Sequence, residues 1–288
     1  MAGDGEEGGA VKVTRPVLRW HGGKWMLAPW IIGHFPPHRV YTEVYGGAAS
    51  VLLRKPRSRV EVYNDLDGEV VSLFRVLQDP VLADILTERL RLTPFARSEF
   101  ERSYQAQETP VDRAWALIVR AFMGFGSDAC TSGVMTGFRA NSNQSSTAPA
   151  CDWANYADAL PEITERFRGV VVEQRPALDI LAQHDSTDTL HYVDPPYVHS
   201  TRKLPRASAG LRGRYRFEMS DADHRQLAAT LKKLGGGVVL SGYPSALYED
   251  LYGDWHRVER PALADGARER TEVLWINEAA WSRSGRLF

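Results

Sequence analysis

The sequence predicts an α/β protein, a mostly parallel sheet with helices on both faces, interrupted by a mainly helical insertion. Three observations carry that prediction. Short apolar runs that read as buried strands alternate with amphipathic stretches of helical length. The early runs end in turns rich in Gly, Asn and Asp that open helices, as in nucleotide-binding α/β units. A later run, Leu190-His191-Tyr192-Val193, meets Asp194-Pro195-Pro196-Tyr197, whose prolines stop the strand because neither can donate to a sheet ladder. In open α/β sheets, ligands bind at that end of the strands.

Composition narrows the class. The chain has 288 residues, 43% hydrophobic and 25% charged, which is ordinary for a globular protein with a large core. No apolar stretch approaches membrane-spanning length, so no membrane partner is expected. Residues 1–12 are acidic and Gly-rich and read as a disordered tail rather than a signal peptide. The two cysteines, Cys130 and Cys151, give neither metal-ligand spacing nor a disulfide framework, which suits a reducing cytoplasm and a protein without metal. A net charge of −1 argues against a generic nucleic-acid coat protein but allows a locally basic groove.

The elements follow in order. Arg19-Trp20-His21-Gly22-Gly23-Lys24 is a tight turn after a short apolar run, with a helix expected over residues 25–34 and Lys24 placed to pair with a carboxylate. Tyr41-Thr42-Glu43-Val44 reads as a buried strand running into Tyr45-Gly46-Gly47-Ala48-Ala49-Ser50 and a helix through Leu53. The full dinucleotide glycine spacing is missing, so a pyrophosphate cofactor is not indicated. Val60-Glu61-Val62-Tyr63 is the second strand, and Asn64-Asp65-Leu66-Asp67 follows. An acid there is placed for ribose hydroxyls, while one of Asp65 and Asp67 should cap a helix over residues 68–78. Helices are expected over 80–91, over 94–105 and from Pro110. Gly169-Val170-Val171-Val172-Glu173 and residues 238–241 and 270–277 read as further strands; residues 176–181 and 224–234 read as helices, with another from Tyr243.

The Asp-Pro-Pro-Tyr turn carries chemistry. An exocyclic amine on a nucleobase is a poor nucleophile, because its lone pair is conjugated with the ring. Two acceptors for its N–H bonds draw the nitrogen towards tetrahedral geometry. Asp194 offers a carboxylate oxygen, Pro195 a backbone carbonyl, and Tyr197 a ring on which the base can stack. The turn is similar to the signature of methyltransferases acting on adenine N6 or cytosine N4. Taken together, Arg19-Trp20-x-Gly22-Gly23-Lys24, Glu43-x-Tyr45-Gly46-Gly47, Asn64-Asp65 and Asp194-Pro195-Pro196-Tyr197 resemble, in their order, the Dam-like (D12 class) DNA adenine-N6 methyltransferases. The resemblance spans residues 16–277.

That resemblance implies a Rossmann-like class I methyltransferase sheet over residues 13–78 and 169–288, with a target-recognition insertion at 79–168. It implies S-adenosyl-L-methionine as methyl donor. Trp20 and Lys24 would contact its methionine end, Glu43, Gly46 and Gly47 would line the pocket, and Asp65 would take the ribose hydroxyls. Asp194, with Pro195, Pro196 and Tyr197, would sit between donor and target amine. Tyr45 stands where Phe is usual, His21 where a small residue or proline is usual, and Ala48 replaces a frequent third glycine.

The expected partner is double-stranded DNA. In the insertion the family places a hairpin that reads DNA, and Arg139, Asn141 and Asn143 bring side chains suited to guanine and adenine edges. After Tyr197 the chain turns basic, with Arg202, Lys203, Arg206, Arg212, Arg214 and Arg216 and no acid from Val198 to Phe217, which suits phosphates. Alternatives are a ribosomal RNA adenine-N6 or DNA cytosine-N4 methyltransferase, and a catalytically silent nucleic-acid-binding module; intact Asp194, Lys24 and Asp65 argue against silence. The expected assembly is a monomer or weak dimer in a prokaryotic cytoplasm. A cognate restriction enzyme, an orphan role and a phage-encoded role are all compatible with the sequence. No covalent enzyme–base intermediate is needed, and the Tyr197 ring is expected to matter more than its hydroxyl.

Overall fold

The computed structural model describes residues 12–126, 135–140, 148–201, 216–264 and 268–285. The tail expected over residues 1–12 lies, apart from Lys12, outside them. Seven strands form one sheet in the order β3-β2-β1-β4-β5-β7-β6. They are β1 (Val40–Glu43), β2 (Val60–Asn64), β3 (Val171–Glu173), β4 (Thr189–Val193), β5 (Gly237–Gly242), β6 (His256–Ala264) and β7 (Arg268–Ile276). β1 to β5 pair in parallel, and β7 runs antiparallel to both β5 and β6. The chain builds outward from β1 to β3, then resumes on the other side of β1 with β4, so the order reverses between β1 and β4. A reversal of that kind opens a crevice at the carboxyl ends of the strands.

Side-chain alternation sorts the core onto two faces. Leu190, Tyr192, Val239 and Leu274 join one cluster with helices Ala28–Ile32, Ser50–Arg54 and Gly68–Gln78. Val193, Val238, Leu240, Val273 and Trp275 join the other with helices Ala177–His184, Asp221–Leu231 and Ala246–Tyr252. The central strands β4 and β5 are buried throughout, as both-face burial requires.

Residues 80–167 add helices Pro80–Leu92, Arg97–Arg102, Pro110–Met123, Pro149–Ala154 and Leu160–Phe167. Their buried side chains, Trp115, Phe122, Ile163 and Phe167 among them, belong to the same cluster as the first face of the sheet. Phe167 stacks on Phe74 at 4.2 Å and 14°. A buried polar knot reinforces the join. Arg166 grips Glu61 of β2 with two bonds, of 2.6 and 2.9 Å, and donates to the Leu52 carbonyl. Lys55 donates to the same Glu61 carboxylate at 2.6 Å.

Several boundaries differ from the sequence reading. The helix expected over residues 25–34 is confined to Ala28–Ile32, because Pro29 is tolerated only in a first turn. The stretch from 94 to 105 is helical only over Arg97–Arg102. The helix expected from Tyr243 starts at Ala246, where the Ser245 hydroxyl caps it by accepting from the Tyr248 amide at 3.1 Å. β6 escaped the sequence reading altogether. Its Arg257, Glu259, Arg260 and Pro261 read as loop, and it survives as an edge strand because Pro261 faces no further ladder on its outer side.

Arg166 and Glu61 are both only 3% exposed, so removing one partner strands the others' charges in the core. Replacing Arg166 with Met is expected to destabilise the protein by about 3–5 kcal/mol in urea unfolding at neutral pH. A parent-like midpoint and slope would show that the knot contributes nothing.

Candidate active site

The site is assembled at the carboxyl ends of β1, β2 and β4. After β1 the chain turns through Gly46 and Gly47, and neighbours leave neither room for a side chain. A Cβ on Gly46 would collide with the Tyr63 ring, and one on Gly47 would stand 2.6 Å from the Trp20 indole nitrogen. Gly47 also has φ of +47°, and Ala49 holds φ of +53°, a left-handed conformation that strains a non-glycine residue. The Tyr63 hydroxyl fixes the turn by donating to the Gly47 carbonyl at 2.7 Å.

At the end of β2 the two acids divide the work. Asp67 is the helix cap, accepting from the Glu69 amide at 3.0 Å. Asp65 accepts from the Gly47 amide and the Asp67 amide, each at 2.8 Å, and so ties the β1 turn to the β2 turn. Burial pushes the Asp65 carboxyl up to about 6 against the pull of those amides.

Asp194 follows β4. Lys24, brought in from before β1, places its ammonium 2.9 Å from Asp194 Oδ2 while donating to the Gly22 carbonyl at 2.8 Å. The same ammonium lies 4.7 Å from the centre of the Tyr197 ring. Asp194 Oδ1 is buried without a hydrogen-bond partner. Burial raises the Asp194 pKa, and Lys24 and, more weakly, the nearby Tyr197 hydroxyl oppose the rise. Tyr197 is buried too; its hydroxyl donates to Glu272 Oε2 at 2.9 Å. Glu43, at the end of β1, is buried and accepts from the Tyr41 hydroxyl at 2.7 Å and the Leu52 amide at 2.8 Å, both on Oε2. Burial is the main reason its carboxyl rises to about 8, and the nearby Asp194 charge adds to the rise.

One pocket gathers these residues. Trp20, Lys24, Glu43, Gly46, Gly47, Asp65, Asp194 and Pro196 all line it, so the structure brings together the residues singled out for a donor site. Pro195 and Tyr197 are buried beside it. Phe217 and Met219 also line it, as does Glu218, none of which the sequence reading identified. Glu272 was missed as well; its one signal is an acid directly before the apolar run from Val273 to Ile276. Among the described residues, no group of three or more His, Cys, Asp or Glu is arranged to hold a metal ion. No described helix is long and apolar enough to cross a membrane.

The residues singled out for DNA are distributed differently. Arg139 sits on the stem of a short antiparallel contact, where its amide donates to the Met123 carbonyl at 2.7 Å and Gly124 bridges Phe138. Its guanidinium reaches the Phe122 carbonyl at 3.3 Å. Arg216 does not stand clear of the protein: it pairs with Asp67 at 2.8 Å and Glu69 at 3.4 Å, on the rim of the pocket. Asn141, Asn143, Arg202, Lys203, Arg212 and Arg214 lie outside the described residues.

A family model for D12 class N6 adenine-specific DNA methyltransferases matches residues 20–263. That is well over half of the chain, and the chain belongs to this family. No curated protein matches the sequence. Membership makes the protein a DNA adenine-N6 methyltransferase, and its sheet is the Rossmann-like sheet of class I methyltransferases. The match ends before β7 begins.

Glu43 gives the site a pH signature. Its folded pKa of about 8 exceeds the ordinary 4.5, so the stability tied to its protonation is complete below 4.5 and lost as pH rises through 8. Glu43→Gln still offers an oxygen to Tyr41 and Leu52 but cannot ionise. Between pH 5 and 8 the unfolding free energy of the parent should fall relative to the variant by up to about 1.4 kcal/mol per pH unit. Parallel curves would show that Glu43 is charged throughout.

Proposed function

We propose that this member of the D12 class transfers a methyl group from S-adenosyl-L-methionine to adenine N6 at a specific site in double-stranded DNA, after flipping the target base out of the helix. The observation that carries the reading is the unpartnered Asp194 Oδ1, held beside a pocket that the Gly46–Gly47 turn, Asp65, Trp20 and Lys24 also line. An unsatisfied buried carboxylate oxygen is costly unless a ligand donates to it.

Those residues fit the donor. Lys24 meets the charge requirement of its carboxylate, the glycines let its backbone-facing atoms approach closely, and the Asp65 carboxylate suits ribose hydroxyls. When bound, S-adenosyl-L-methionine supplies an electrophilic methyl group on a sulfonium leaving group. The rest is done by the chain. The target amine is buried inside a duplex, so the base must leave the stack to be reached. Tyr197 offers it a ring; stacking of this kind is worth about 1–3 kcal/mol per base in single-strand binders. Asp194 accepts one N–H and the Pro195 carbonyl the other, which localises the lone pair on nitrogen. The carboxylate need not be a strong base, because the amine becomes acidic as it is methylated. Positioning then accounts for much of the acceleration.

For recognition, Arg139, Asn141 and Asn143 are proposed to read base edges, and Arg202, Lys203, Arg212 and Arg214 to meet phosphates. Arg216 would share its guanidinium between phosphate and the Asp67–Glu69 pair. Residues 79–168 serve in this reading as the target-recognition part. The family match favours DNA adenine over ribosomal RNA and over cytosine N4. The setting is a prokaryotic cytoplasm, as a restriction partner, an orphan or a phage-encoded enzyme.

Digestion and mass analysis of nucleosides from DNA of cells expressing the protein should show N6-methyladenine, and modified-base sequencing should place it in one short motif. Unmodified adenine throughout would sink the proposal. With the site mapped, Asp194→Ala should abolish single-turnover methylation while the protein stays folded and binds DNA. Asp65→Ala should weaken donor binding in calorimetry.

The basic stretch is tested by salt. Replacing Arg212 and Arg214 with Gln should weaken DNA binding across sequences and lower the log–log salt slope by about 0.9 for each phosphate that is no longer neutralised. Coincident slopes for variant and parent would remove these arginines from the phosphate interface.

A further inference from the structure

We propose that Glu272 is a positioning residue for the reaction: it anchors the Tyr197 hydroxyl and so fixes the ring on which the target base stacks. The inference rests on the reading of Tyr197 given above.

Strand direction puts Glu272 at the chemistry. β7 runs antiparallel to β5, with Val273 opposite Gly242 at the end of β5. The first residues of β7 therefore lie at the sheet edge where β4 delivers Asp194. Alternation along the strand sends Val273 and Trp275 to one face and Leu274 and Ile276 to the other. Glu272 shares the face of Leu274 and Ile276, and it is buried at 5% exposure. A carboxyl group there is expensive unless it is partnered. The Tyr197 hydroxyl, 2.9 Å from Glu272 Oε2, is its hydrogen-bond donor. Burial raises the Glu272 pKa, the Lys24 charge opposes that rise, and the Asp194 charge adds to it, so the three groups share one electrostatic environment.

The contacts around Tyr197 are complementary. Its hydroxyl lies on the ring's rotation axis, so the bond to Glu272 sets the tilt and depth of the ring but leaves rotation open. The Tyr243 ring supplies the remaining restraint, packing edge-on at 4.5 Å and 76°. Arg270, on the same face of β7 two residues before Glu272, donates to the Thr201 carbonyl at 3.2 Å and lies 5.4 Å from the Tyr243 ring. β7 thus holds both the ring and the segment that follows it. A ring left free to tilt would carry a stacked base out of line, and in oriented reactions about 1 Å of misplacement can cut rate on the order of a hundredfold. The hydroxyl, which the sequence alone ranks below the ring, becomes the handle by which the ring is held.

The test is single-turnover methylation by the full chain on a duplex carrying its mapped site, with donor affinity measured alongside. Glu272→Leu removes the acceptor but keeps the volume, Glu272→Gln keeps an acceptor, and Tyr197→Phe removes the donor. Glu272→Leu and Tyr197→Phe should each slow the step by about tenfold or more, with donor affinity unchanged. Glu272→Gln should retain most of the rate. The double variant should be no slower than Tyr197→Phe, because that substitution already breaks the one bond that Glu272→Leu removes. A parent-like rate in Glu272→Leu, multiplicative losses in the double variant, or an equal loss of donor affinity would each overturn the inference while leaving the enzyme's function intact. Should Glu272→Leu fail to fold, Glu272→Ala takes its place, because Tyr197→Phe also removes the hydroxyl's interaction with Asp194; a parent-like rate in Glu272→Ala or in Tyr197→Phe overturns the inference. A parent chain that leaves DNA adenine unmethylated sinks the functional reading, and this inference with it.

Discussion

The carboxyl edge of the sheet depends on one ion pair between segments far apart in sequence. Asp194 comes from the end of β4 and Lys24 from before β1, and they meet at 2.9 Å in a place where burial by itself favours the neutral acid. The lysine can reach only if the segment before β1 packs across the turn after it. The close approach of Trp20 to Gly47, which leaves no room for a Cβ, is that packing. Asp65 then ties the same turn to β2. The pocket is consequently a closed loop of dependencies: the glycine permits the tryptophan, the tryptophan fixes the lysine's segment, and the lysine keeps a charged oxygen available at the strand end.

What was legible in the sequence was what local chemistry dictates. Prolines after Asp194, glycines after β1 and a carboxylate before the helix Gly68–Gln78 signal their conformations within a few residues. β1, β4 and β5 follow from apolar runs that need burial on both faces, whereas Val171–Glu173, which reads as a buried strand, is an edge strand with Val171 43% exposed. What was not legible depends on partners distant in the chain. Nothing in residues 64–67 tells which acid caps the helix, because Asp65 is claimed by an amide 18 residues earlier. A basic run reads as a phosphate contact, yet Arg216 meets Asp67, 149 residues away. Glu272 could not be assigned to the site because its place follows from β7 running antiparallel, and strand direction is set by tertiary pairing. β6 hid behind charges and a proline that only an edge strand tolerates.

Burial and function pull against each other at this edge. Glu43, Asp65, Asp194 and Glu272 are all pushed above their ordinary carboxylate range by burial. A sheet designed for stability alone would carry apolar residues there. Concentrating buried acids at the carboxyl edge of the sheet destabilises the fold locally, and the two apolar clusters on either side of the sheet offset it.

The shared core has a consequence for how such a protein can change. Residues 80–167 bury Phe100, Trp115, Phe122, Trp153 and Phe167 in the cluster that also supports β1 and β4, and Arg166 is knotted to β2. The segment is therefore not a portable cassette. Grafting a counterpart from another chain would replace part of the packing beneath β1 and β4, so exchanging the segment whole would disturb the sheet together with the segment.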